Sequence, residues 1–532
     1  MKILRNLPFF LFTLFITSAY GDFGWNLPPA NLSDPTGDPR SPLICCDASG
    51  NAFAIWDFRA DGSPNRIIQV SRFDGTTLTW SDPFDLNDDS QSSSEPEICC
   101  DNSGNAIAVW ENSNGSNFII RASHFDGNTQ MWSDSIPISA PGQSANAPRV
   151  CCDNFGNAFA IWDRSDGSNR IIQVSHFDGT SWTPLDQISN LSANGQNARS
   201  QQICCDDSGN AIAVWYRSNG SNNIIQSSYY NGTSWTPINQ VFNLSADGQD
   251  ALRPRICCDD LGNAIAVWQR SNGSNDIIQS SRFNGSSWEP FESGTDLSES
   301  GQNASAPRVC CDNSGNAIAV WERSNGSNDI IQASFFDGSS WTAFSDIDNL
   351  STEGQNASFP YVCCDNSGNA FATWYRSNGS NDIIQSSQFD GVAWSIPDDL
   401  SAEGVNSRSS KVCCNDTGRA INVWNAGFSP NPVIQSSFYL PQTFPPANFQ
   451  GNRVTNRFPS QSAVSAHLSW TPNTDPNVTS FNIYQNGNLV ATVPSYLSSY
   501  KDCNIDPCQS YSYTIISVNT TGDESAGETI VI

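Results

Sequence analysis

An eight-bladed β-propeller followed by a small β-sandwich is the all-β fold this sequence predicts. Three observations carry the reading. Adjacent cysteines recur as Cys45-Cys46, Cys99-Cys100, Cys151-Cys152, Cys204-Cys205, Cys257-Cys258, Cys310-Cys311, Cys363-Cys364 and Cys413-Cys414, 50 to 54 residues apart. Each pair is followed by a turn and a Trp-bearing apolar run, as in VCCDNSGNAIAVW (309–321). The last unit lacks its final strand, and a lone copy of that strand stands near the N-terminus. Self-similarity at this period marks a repeat architecture.

Residues 1–21 have the form of a signal peptide. Lys2 and Arg5 give the positive start, 7–16 the apolar stretch, and Ala19-Tyr20-Gly21 a small-x-small cleavage site. The apolar stretch is too short to span a bilayer, and no later segment is long and apolar enough, so no membrane insertion is expected. The chain carries a net charge of −28, and removing Lys2 and Arg5 with this segment makes it −30. A field of that sign repels nucleic acid and anionic membranes, and it keeps an exported repetitive β-protein soluble.

The repeat occupies 22–440. Segments 257–291 and 310–344 share 27 of 35 residues. Four strand-like runs make one unit. Strand a is PRVCCD (307–312), strand b AIAVWER (317–323), strand c DIIQASFF (329–336), and strand d begins at WTAF (341–344). Gly, Asn, Asp and Ser mark the tight turns between them. Strand b alternates Ala317, Ala319 and Trp321 with Ile318 and Val320, so both faces are apolar and both must be covered. Four-stranded units buried on both faces are propeller blades. GWNLPPANLS (24–33) aligns with strand d of the other units and can complete the eighth blade, removing an open sheet edge. An open solenoid has no need of such a split blade.

The Pro-rich run PQTFPPANF (441–449) ends the repeat. Within 441–532, HLSWTP, SFNIYQNGNLVATV and PCQSYSYTIISVNTTGDESAG carry Trp470, Tyr511 after a Pro-containing corner, and a VN-x-x-G-x-E-S-A run from Val518 to Ala526. This segment resembles a fibronectin type III domain, which implies a small β-sandwich. It has no Arg-Gly-Asp, so integrin binding is not implied. Over about 24–440 the units D-x-x-G-N-A-x-A-x-W resemble bacterial secreted repeat proteins. That resemblance implies fold and leaves function open.

Catalytic signals are sparse. His124 and His176 share one strand-c position, held elsewhere by Arg72, Tyr229 or Arg282, and read as a tolerant surface site. The acids recur at equivalent positions, and the loops are nearly uniform in length. A glycosidase needs two acids in distinct environments. Asp312, Ser314 and Asn316 have a calcium-loop spacing but lack enough carboxylates, so Asp312 is expected to cap its own hairpin. No metal or cofactor is expected. The binding candidates are Arg164, Arg217, Arg270, Arg323 and Arg376, with Asn, Ser and Gln, in the b–c and d–a loops that emerge on one propeller face.

Eighteen cysteines in an exported chain permit disulfides. Cys503 and Cys508 bracket one corner and are expected to pair. For the sixteen repeat cysteines three arrangements stand: bonds between neighbouring blades, small apolar residues filling tight space, and bonds within a pair. Adjacent strand residues point to opposite faces, which disfavours the last. An oxidising compartment favours the first.

The expectation is an exported protein of the bacterial surface or envelope that binds glycan or protein. A sialidase-like carbohydrate-active enzyme and a cysteine cross-linked structural component are the alternatives.

Overall fold

The structure is a computed structural model. It describes residues 24–290, 294–427, 432–440, 446–458, 461–471, 478–503, 505–519, 522, 524–525 and 527–532. The signal segment 1–21, part of the Pro-rich boundary, part of the blade 8 b–c loop and parts of the Val518–Ala526 run lie outside the described residues.

Eight antiparallel sheets follow one another from Gly24 to Leu440. Blade 6 is representative: strand a Ala304–Cys311, strand b Ala317–Ser324, strand c Asp329–Phe336. Strand d is shorter than its sequence suggests. Trp341 makes a single bridge to Phe336, a 3-10 turn (Phe344–Asp346) interrupts, and Asp348–Asn349 then pairs with strand c. The eighth sheet takes its outer edge from the N-terminal segment. Gly24 and Trp25 pair with Leu440 and Tyr439, and Ala30 and Asn31 pair with Ser436 and Gln435.

Burial on both faces of strand b builds the core. All eight strand-b tryptophans are fully buried. Trp374 of blade 7 packs against Ile318, Val320, Ile331 and Leu350 of blade 6, and equivalent clusters recur between the other blades. Burying a side chain of this size contributes about 3 kcal/mol each time. The a–b turn is capped as its residues predict. Asp312 Oδ1 accepts the Ser314 and Asn316 N–H groups at 2.8 and 2.9 Å, and Oδ2 accepts Asn316 Nδ2 at 2.8 Å. Both carboxylate oxygens are thus used within the hairpin.

Every inner strand a also carries a bulge. Its central residue has positive φ in all eight blades: Ser41, Glu95, Ala147, Ser200, Arg253, Ala306, Phe359 and Ser409, at 50 to 60°. None is Gly or Asn, so each costs about 1–2 kcal/mol. In two blades a carboxylate of the preceding blade holds the strained backbone. Glu111 accepts the Ala147 N–H at 2.7 Å, and Glu322 accepts the Phe359 N–H at 2.6 Å.

The sixteen repeat cysteines are bonded between blades, the first of each pair to the second of the next: Cys45–Cys100, Cys99–Cys152, Cys151–Cys205, Cys204–Cys258, Cys257–Cys311, Cys310–Cys364, Cys363–Cys414 and Cys413–Cys46. Their Cα atoms lie 5.6 to 5.8 Å apart. Adjacency has a consequence. Each Cys-Cys dipeptide bonds to both neighbouring blades, because successive side chains leave the strand on opposite faces. Eight dipeptides and eight disulfides therefore form one covalent cycle. A single cysteine per blade could form only isolated pairs.

Residues 447–531 form two sheets. One has the strands Ala447–Phe458, Gln461–Thr471 and Ser499–Asp502; the other has Asn488–Pro494, Val478–Gln485, Ser512–Asn519 and Glu528–Val531, in that spatial order. Both share a core around Trp470, Phe481, Ile483, Tyr513 and Ile515. The expected Cys503–Cys508 bond is not made. Both are exposed free thiols. Hydrogen bonds hold this corner instead: Asp506 N–H donates to the Tyr511 hydroxyl at 2.9 Å, and Cys508 N–H donates to Asp506 Oδ1 at 2.8 Å.

Candidate functional site

The five sequence-selected arginines occupy one position, two residues beyond the strand-b tryptophan. Arg323 pairs with Ala304 of strand a and Ile330 of strand c, and the other four have equivalent registers. Phe58, Asn112 and Ala426 fill this position in blades 1, 2 and 8. The arginines do not stand up from the face. All five are half-buried, and all five Nε atoms are buried without a hydrogen-bond partner on the chain.

Their heads divide into two groups. Arg323 reaches Glu299 at 3.7 Å, and Arg376 reaches Asp399 at 4.0 Å and the Gln355 side chain. Arg164, Arg217 and Arg270, in three consecutive blades, make no side-chain hydrogen bond or ion pair with the described residues. Burial pushes the Arg217 guanidinium below its ordinary value.

The loop amides expected to join them are already engaged. Asn325 Oδ1 accepts the Ser327 and Asn328 N–H groups at 3.0 and 2.8 Å. Asn356, in the following d–a loop, accepts the Asp329 N–H at 3.0 Å and Asn328 Nδ2 at 3.2 Å. Asn-Gly-Ser here is turn chemistry, and it ties each b–c loop to the next d–a loop. The loops are pre-ordered, and the arginine heads remain the available donors.

His124 and His176 are less open than the sequence suggests. Both are half-buried, and His176 is stacked on Phe159 with ring centroids 4.3 Å apart. Burial pushes both below the ordinary histidine value. Among the described residues no three His, Cys, Asp or Glu side chains are grouped to hold a metal ion.

One constellation escaped the sequence reading. The residue paired with the fourth position of strand b on each inner strand is Leu43, Glu97, Arg149, Gln202, Arg255, Arg308, Tyr361 or Lys411 in blade order. Six of these side chains, Glu97, Arg149, Arg255, Arg308, Tyr361 and Lys411, come within one another's electrostatic reach, while Leu43 packs into the apolar core between blades 1 and 2. Arg149 pairs with Glu97 at 2.6 Å. Arg308 lies over the Tyr361 ring at 5.4 Å, and Lys411 over the same ring at 4.9 Å. Aligning this single column of the repeat would have exposed it: Lys and Arg number 25 in 532 residues, yet hold four of these eight positions.

No family model matches the sequence, and no curated protein matches it. Solved structures with similar shape include a fungal alcohol oxidase in complex with copper (12% identity, 96% of this chain and 99% of that one, TM-score 0.41). A protein of unknown function from Dyadobacter fermentans is 11% identical over 59% of this chain and 98% of its own, at a TM-score of 0.37. An α-L-arabinofuranosidase from Fusarium graminearum is 11% identical over 64% of this chain and 91% of its own, at 0.35. Similarity at this level carries no functional argument, and the fold rests on the strand pairings themselves.

Proposed function

We propose that this protein is an exported bacterial binding scaffold that recognises glycan through the b–c and d–a face of blades 3 to 5. One observation carries the reading. In a chain with 53 acidic and 25 basic residues, Arg164, Arg217 and Arg270 recur at one position in consecutive blades without an anionic partner among the described residues. Half-buried guanidinium groups at the ends of strands b, beside pre-ordered loops, present directional donors to hydroxyl and carboxylate oxygens at small entropic cost. Three equivalent weak sites on a rigid frame add by avidity. Eight disulfides suit an oxidising compartment and complement the signal-peptide reading of 1–21. The 447–531 sandwich, with its Tyr511 corner, serves in this reading as a fibronectin type III-like spacer.

A glycan array probed with the mature protein and with an Arg164→Gln/Arg217→Gln/Arg270→Gln variant tests this. An amide at this position is compatible with the blade, since blade 2 has Asn112 there. Binding by the wild type that disappears in the variant is expected. A wild type that binds no glycan, or a variant that binds equally, refutes it. Capture of a protein ligand in place of glycan would redirect the face to the protein-partner alternative.

A further inference from the structure

The axial ring brings four cations and one carboxylate into the channel lined by the inner strands. Glu97 is satisfied by Arg149 at 2.6 Å. Arg255, Arg308 and Lys411 have no anionic partner among the described residues. Their polar heads turn back on their own backbone: Arg255 Nη1 donates to Pro254 O at 2.8 Å, Arg308 Nη1 to Pro307 O at 3.3 Å, and Lys411 Nζ to Ser410 O at 3.2 Å. Arg308 Nε is buried with no partner on the chain. The three come from blades 5, 6 and 8, and Arg308 acts on both Arg255 and Lys411. Arg255 lies well below its ordinary value, through burial first and then Arg308 and Arg149. Lys411 is lowered to about 7, through burial first and then Arg308, with Arg255 and Arg149 adding and Glu97 opposing.

Like charges gathered in a half-buried channel are unfavourable unless something anionic joins them. Simple copying of a repeat does not account for them. Blade 8 has diverged, has lost the face arginine, and still places Lys411 at this position.

We propose that the propeller channel is an oxyanion site, in which Arg255, Arg308 and Lys411 share one multivalent oxyanion of the sulfate, phosphate or polycarboxylate class. Acidic groups stand at both ends of the ring. At the a–b end the residue after each capping Asp forms a blade-to-blade rim. Asn154 N–H donates to Asp207 at 3.1 Å, Asp260 N–H to Asn313 at 3.3 Å, and Asn366 N–H to Asp416 at 2.9 Å. Three carboxylates sit on that rim, beside the disulfide cycle, and repel an incoming anion. The b–c and d–a end is mixed in charge: the equivalent bulge positions expose Arg253 in blade 5 and Glu95 in blade 2. Planar guanidinium forks fit tetrahedral and carboxylate oxygens in a way chloride does not exploit.

Isothermal titration of the mature protein with sodium sulfate, against sodium chloride at equal ionic strength, tests the site. Saturable binding of one sulfate is expected. Arg255→Gln/Arg308→Gln should weaken it at least tenfold. Gln202 occupies the same position in blade 4, so the substitution suits the fold, and an unchanged melting temperature in chloride verifies this. Arg164→Gln/Arg217→Gln should leave sulfate binding unchanged, which separates this site from the glycan face. A sulfated disaccharide distinguishes two sources of the anion. Affinity equal to sulfate indicates a free ion, and tenfold tighter binding an acidic group carried on a glycan. Sulfate that behaves like chloride, or binds the double variant as tightly as the wild type, overturns the proposal.

Discussion

Cys46 of the first blade is bonded to Cys413 of the eighth, 367 residues away in sequence, with Cα atoms 5.8 Å apart. Considered alone, a loop of that length restricts the unfolded chain by about 6 kcal/mol. The other seven bonds change the calculation. In their presence a path from Cys46 to Cys413 already runs through the linked dipeptides, crossing only the sixteen cysteines. The relevant loop is then close to 15 residues, and the last bond contributes about 3 kcal/mol. A Cys46→Ala/Cys413→Ala variant should lose about 3 kcal/mol in non-reducing urea unfolding. A loss near 6 kcal/mol would mean that the remaining bonds do not share the constraint.

The N-terminal strand acts differently from the covalent cycle. Trp25 packs on Phe371 and Tyr439, with ring centroids 5.8 and 5.7 Å away, and Ile434 N–H donates to Ser33 Oγ at 2.8 Å. Deleting 22–33 uncovers strand c of blade 8 (Val433–Leu440) as an open edge. The eight disulfides should still form, so the variant should remain folded but self-associate through that edge. Light scattering after size exclusion should find dimers or larger species. Adding the peptide GWNLPPANLS should return the variant to its wild-type state of association. A variant that behaves like the wild type without peptide would show that this strand seals nothing.

Cys503 and Cys508 are the chain's exposed thiols. Iodoacetamide without reductant should modify these two, and peptide mass spectrometry should find the sixteen repeat cysteines unmodified. If the protein is cross-linked to neighbours, the link must use this pair. Serine at both positions should then release it from the envelope without reductant, while extraction that still requires reductant would exclude these thiols as the link.

Features set by period and by residue type were legible in the sequence. The alternation Ala317–Trp321 and the Asp312 turn specify a doubly covered hairpin wherever they occur, so eight copies specify eight blades. The spare strand at 24–33 was legible because its partner segment is missing at the other end. The fate of the cysteines was open, since adjacency constrains side-chain direction but not the distance between blades. The axial ring was hidden because its meaning lies across the repeat. Glu97 and Tyr361 look like tolerated variation until the fold brings them against Arg149, Arg308 and Lys411. The strained bulge left no signal either. Ala306 and Phe359 are not residues that announce positive φ, and carboxylates from a neighbouring blade hold such positions. Cys503 and Cys508 misled because two cysteines at a corner suggest a clip, while Asp506 and Tyr511 already close it.

Lys411 should give the channel a pH signature. Burial and then Arg308 lower it from 10.5 to about 7, while Glu97, Arg149, Arg255, Arg308 and Tyr361 face it. Below about pH 7 the lysine is protonated in both folded and unfolded chains. Between about 7 and 10.5 the unfolded chain holds a proton that the folded chain has released, so stability rises with pH across that window. Between about pH 6 and pH 9 this contribution is on the order of 2 kcal/mol. Lys411→Met removes the titrating group and should flatten that part of the profile, measured as urea midpoints at the two pH values. It should also be the more stable protein at pH 6, where the wild type holds a desolvated charge. Saturating sulfate should shrink the wild-type rise, because a bound oxyanion favours protonated Lys411 and moves its titration upward. Parallel profiles for wild type and variant would mean that Lys411 titrates as an ordinary solvated lysine.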